Sequence, residues 1–86
     1  MTLINDVTDT WKAYLAAVKS GDQAAQDEER NELIYDIRNF LFSGKNLDER
    51  AFSMLGDTDM DIVRLSAAVV SLTLPDGEVV EIQSKR

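Results

Sequence analysis

Two stretches with helical apolar spacing are joined in this chain by Gly21 and Asp22 alone. So short a link leaves two long helices one arrangement, side by side and antiparallel. In the first stretch Ile4, Val7, Trp11, Tyr14 and Val18 recur at three- and four-residue steps, and Leu3 and Leu15 widen the stripe. Ala13, Ala16 and Ala17 favour helix and keep the other faces slim. Thr2 stands where an N-cap is needed, Lys19 suits the negative end of the helix dipole, and Gly21 suits a left-handed helix stop. A helix over 3–20 is expected. Asp22 then caps a second helix over 23–42, polar in its first turns and apolar from Leu33 onward. On a helical wheel Leu33, Ile34, Ile37, Phe40 and Leu41 share one arc of about 120°, wide enough for a core face. No second copy of the hairpin follows, which excludes a helical-repeat array.

Beyond Ser43-Gly44 the elements shorten. Asn46 with Glu49 has the spacing of a capping box and opens a helix over 47–55, with Leu47, Ala51, Met54 and Leu55 inward and Gly56 as its stop. Thr58 with Asp61 repeats the cap spacing and suggests a further helix over 59–69, since Ile62, Leu65, Val69 and Leu72 fit helical steps. The same region alternates at Val70, Leu72 and Leu74, so a switch from helix to strand is placed near Val69 or Val70. Leu74-Pro75-Asp76-Gly77 is a turn signal, and a β-hairpin over 70–83 is expected, with 70–74 paired to 78–82. Ser84-Lys85-Arg86 reads as a frayed basic tail. The fold class is α+β, mainly α: an antiparallel αα-hairpin, short helices and a C-terminal β-hairpin in one domain, 1–86. A wholly helical domain with an extended tail is the alternative.

The missing residue types narrow the chemistry. The chain has no Cys, hence no disulfide framework or thiolate site, and no His, the commonest general base and transition-metal ligand. No apolar run reaches the roughly 18 residues of a membrane span, and the N-terminus lacks a leader pattern, so a cytoplasmic location is expected. Sixteen acidic residues against nine basic ones give a net charge of −7, which disfavours direct binding to nucleic acid. Alternate carboxylates at Asp57, Asp59 and Asp61 resemble the start of a calcium loop. Ile62 and Ala68 stand where that loop needs Gly and Glu, so helix capping is the better reading and no metal is expected. Ser and Thr have no His to activate them, the candidate carboxylate pairs lie in polar sequence, and the glycines form no phosphate cradle. Neither enzymatic activity nor a cofactor is expected.

The second helix carries the one polar feature with a pattern. Glu28, Glu32 and Asp36 recur at i, i+4 and i+8, and residues 22–36 hold six acids, Asp27 among them, against one Arg. Like charges four apart cost a helix a few tenths of a kcal/mol per pair, about 0.2–0.5. Such a stripe is either a solvated face or a contact surface for a basic partner. Tyr35 and Phe42 project off the core arc one heptad apart, either covered by a later element or anchoring a partner. The candidate partner-binding residues are therefore Asp27, Glu28, Glu32, Asp36, Tyr35 and Phe42. The expected function is a small acidic protein-binding module: an inhibitor, adaptor or regulator of a larger protein with a basic, nucleic-acid-binding surface. One version is a decoy mimicking nucleic-acid charge, in the manner of phage- or plasmid-encoded inhibitors. The alternative is a structural assembly subunit that pairs as a homodimer through the hairpin edge or the helix faces, since two strands alone are marginally stable in water.

Overall fold

A computed structural model describes residues 2–84. The fold is α+β, mainly α, with three helices followed by a three-stranded antiparallel sheet. Helix α1 spans Ile4–Ser20 and helix α2 spans Gln23–Leu41. Between them Gly21 adopts φ 75° and donates its N–H to Val18 O (3.2 Å), while Asp22 N–H reaches Ala17 O (3.3 Å). These bonds satisfy carbonyls that the last turn of α1 leaves open. The Asp22 carboxylate then accepts from Ala25 N–H (3.1 Å) and starts α2. At the other end of α1 the residue at the cap position is Leu3, not Thr2. Asp6 compensates by reaching back to accept from Leu3 N–H (3.0 Å).

Helix α3 spans Glu49–Gly56, two residues later than the expected start. Asp48, rather than Asn46, caps it, its carboxylate accepting from Arg50 and Ala51 N–H. Leu47 lies outside the helix, with its N–H on Ala67 O (2.7 Å) and its side chain buried. Of the residues expected inward on this helix, Ala51 and Leu55 are buried, whereas Met54 is exposed. Val18 of α1 is likewise more exposed than its place in the stripe suggested.

The expected helix over 59–69 is not formed. Strand β1 runs Asp61–Ser66 instead, antiparallel to β2 at Val69–Thr73, which pairs with β3 at Val79–Gln83. Thr58 closes α3 instead of opening another helix, its hydroxyl donating to Leu55 O (2.6 Å) and accepting from Met60 N–H. The Ser66 hydroxyl accepts from Ala68 N–H (3.3 Å) and turns the chain back through two alanines. The helical spacing of Ile62, Leu65, Val69 and Leu72 thus spans a turn. What decides the outcome is that a third strand gives the marginal β2–β3 hairpin a partner on its other side. The β2–β3 register places Val70 opposite Ile82 and Leu72 opposite Val80. Its turn closes with Gly77 N–H on Leu74 O (2.9 Å) and Leu74 N–H on Glu78 O (2.8 Å).

One face of the sheet, with Val70, Leu72, Leu74 and Ile82 buried, packs with Val7, Trp11, Leu33, Ile37, Leu41 and Leu55 in a single core. Polar pins hold the layers together. Trp11 Nε1 donates to Asp59 Oδ1 (2.6 Å), tying the segment before β1 to α1. Arg30 pairs with Glu78 (2.7 Å), and Arg38 Nε donates to Gln83 O (3.0 Å), tying α2 to β3. Among the described residues no helix is long and apolar enough to cross a membrane. The expectation of a frayed tail falls largely on Lys85 and Arg86, outside the described residues.

Gly21→Ala isolates the value of the link. A Cβ there meets nothing within 4 Å, so the cost is the left-handed backbone alone, about 1–2 kcal/mol. Urea unfolding should show that loss with an unchanged slope.

Candidate protein-binding face

Helix α2 is wedged between two neighbours, and this sorts its side chains. One flank meets α1, the other meets β3 through Arg30 and Arg38, and the crest between them is left to solvent. Glu28 and Glu32 stand on the exposed crest, with the half-exposed Tyr35 one turn beyond Glu32. Asp27 is also exposed and accepts from the Gln23 side chain (3.1 Å).

Two of the expected contact residues belong to the interior. Asp36 is 8% exposed and its Oδ2 lies 2.7 Å from Thr10 Oγ1 of α1. The Thr10 hydroxyl also lies 3.0 Å from Asp6 O. Its single proton favours the shorter, carboxylate partner. Asp36 continues the acidic spacing of Glu28 and Glu32, but each four-residue step turns the wheel by about 40°. By the third member the stripe has rotated off the crest into the α1–α2 seam. Phe42 is also 8% exposed and belongs to the core. The helix ends at Leu41, and Phe42 takes φ −118° and ψ 44°. A wheel extended through it misplaces its ring.

Glu28 and Glu32 share a shallow groove of about 440 Å³ with Glu29 of the same helix and with Asp9, Thr10 and Ala13 of α1. Asp9 and Glu29 were not among the expected site residues. Their grouping needs the antiparallel register of α1 and α2, which no local pattern carries. The small Ala13 keeps the α1 wall low. Among the described residues no Lys or Arg pairs with Asp9, Glu28, Glu29 or Glu32: the ion pairs are Arg30–Glu78 and Arg64–Glu49. No group of three or more His, Cys, Asp or Glu among the described residues is arranged to hold a metal ion.

A second polar pocket, about 260 Å³, lies between the tip of the helical hairpin and the β2–β3 turn and includes Tyr14, Gln26, Arg30 and Glu78. Burial first, and the Asp76 carboxylate second, raise the Tyr14 phenol above its ordinary value of 10. The phenol therefore keeps its proton at neutral pH.

Comparison of the chain with protein-family models, with curated proteins and with solved structures found no match.

The two kinds of acid on α2 should separate by mutation. Asp36→Ala removes a buried, charge-assisted hydrogen bond and should cost about 1.5–3 kcal/mol of stability. Glu32→Ala, at an exposed position, should stay within about 0.5 kcal/mol of wild type. Parallel urea titrations measure both, and equal losses would remove the distinction between pin and free acid.

Proposed function

We propose that this chain is a small, acidic, non-enzymatic protein-binding module that acts as an inhibitor, adaptor or regulator of a larger protein with a basic surface. The observation that carries the reading is the α1–α2 groove, where Asp9, Glu28, Glu29 and Glu32 converge with no basic partner among the described residues. Carboxylates held in one groove repel each other and stay hydrated, and a cationic surface docked against them relieves that repulsion. The half-exposed Tyr35 ring beside Glu28 and Glu32 adds a planar surface on which a guanidinium can stack. A target whose basic surface serves nucleic acid fits this chemistry, with the groove as a decoy for phosphate charge.

A second reading, self-assembly, is favoured by β1. Leu74 N–H donates to Glu78 O, so the even-numbered residues of β2 bond to β3 and the odd-numbered ones bond to β1. The peptide groups of Ile62 and Arg64 then point off an edge to which, among the described residues, no further strand is paired, and Val63 and Leu65 are half exposed beside it. Light scattering across concentration tests this directly. A monomer at high micromolar concentration would remove it.

For the first reading the test is capture from native-host lysate on immobilised wild-type protein and on the Glu28→Lys, Glu32→Lys double variant. Both positions are exposed, so circular dichroism should be unchanged. The wild type should retain a basic protein that raised salt elutes and the variant does not retain. Retention of the same proteins by both baits, insensitive to salt, would overturn the reading.

A further inference from the structure

The acidic groove has a neighbour along the same helix pair. On α2, Glu28, Glu32 and Asn39 share one side, and on α1 so do Asn5, Asp9 and Ala13. Asn5 and Asn39 line a third pocket, about 390 Å³, at the far end of the same helix pair, where α3 packs beside them. That pocket is mainly apolar, lined by Leu3, Ile4, Phe40, Ala51 and Met54, with the oppositely charged Asp48 and Arg50 also in its wall. Leu3 is 58% and Met54 41% exposed, the two large apolar side chains that α1 and α3 leave in water here. The two walls thus run from the four carboxylates of the groove to an apolar socket, a distance of about 12 Å from Glu32 to Phe40 at 1.5 Å per residue.

We infer that this groove docks a basic amphipathic helix of the partner, with Lys or Arg over Asp9, Glu28, Glu29 and Glu32 and an apolar anchor in the Leu3–Met54 socket. Charge complementarity selects the occupant. A second copy of this chain, net −7, would bring acid against acid. An extended segment would leave its peptide groups unpaired, because helix walls offer side chains and no sheet edge. A helix satisfies its own backbone and presents residues one turn apart, matching acids that recur every turn. The flexible Met54 side chain suits an anchor of variable shape.

This inference rests on the acidic face being a contact surface, and the test separates the two. Three fluorescein-labelled, Ala-based helical peptides of about 20 residues, long enough to be helical in water, are titrated by anisotropy in low salt. The first carries Arg on one face over two turns and two Leu about two turns farther on. The second has Ser for both Leu, and the third has Gln for every Arg. The first should bind about tenfold tighter than the second, the effect of one well-filled apolar anchor, and the third should not bind. With the Leu3→Ser, Met54→Ser variant the first peptide should fall to the level of the second, whose own affinity should not change. Equal affinity of the first two peptides for wild type would overturn the socket and leave the acidic face standing. Failure of both to bind would overturn the two together.

Discussion

The antiparallel packing of α1 on α2 is the contact on which everything else in this molecule stands. It follows from a link of two residues in which Gly21 supplies a left-handed turn and Asp22 a cap, and it brings Val7, Trp11 and Tyr14 into one core with Leu33, Ile37 and Leu41. The Thr10–Asp36 hydrogen bond fixes the register of this packing, because a slide by one turn would strand a buried carboxylate. The sheet depends on the same register. Leu72 and Ile82 can be buried only if α2 offers Leu33 and Ile37 beside them, and α2 faces the sheet only because α1 occupies its other flank. The sheet in turn buries its apolar face, with Val70, Leu72 and Ile82, only against the helices.

The polar pins show how a small core is kept in one arrangement. Non-directional burial drives collapse, but it does not distinguish one slide of the sheet from another. Trp11–Asp59, Arg30–Glu78 and Arg38–Gln83 each join segments far apart in sequence, and each connects the helical hairpin to the part of the chain that forms or precedes the sheet. Asp59 does so from the alternating carboxylates that resemble a calcium loop, where its role is to accept from an indole N–H.

What was legible in the sequence was whatever depends on neighbours in sequence: the two long helices, the Gly21 stop, the Asp22 cap and the Pro75-Asp76-Gly77 turn. What was not legible depends on neighbours in space. Ile62 to Leu72 satisfies helical spacing and strand alternation at once, and only the need of β2 for a second partner selects the strand. Asp36 looked like the third member of a solvent stripe because the tilt of that stripe toward α1 becomes visible only when α1 is in place. Phe42 was misplaced by a helix that ends one residue earlier. Of the six candidate contact residues, Glu28 and Glu32 lie in the acidic groove. Tyr35 is exposed beside it, Asp27 is exposed in the pocket by the β2–β3 turn, Asp36 is a structural pin, and Phe42 joins the core.

The charge of the molecule can be sorted by the work each carboxylate does. Asp6, Asp22 and Asp48 cap helices, Asp76 closes a turn, and Asp27, Asp36, Glu49, Asp59 and Glu78 bond to side chains. Nine of the sixteen acids are thereby occupied. Of the seven left, Asp57, Asp61 and Glu81 are scattered over the α3–β1 connection and the sheet, as solubility alone would arrange them. The other four, Asp9, Glu28, Glu29 and Glu32, stand together across one seam. Solubility gives no reason for that concentration, since dispersed charge serves it as well at a smaller cost in repulsion. The excess charge of this chain is therefore best understood as two populations, one holding the fold and one gathered where the fold leaves a groove open.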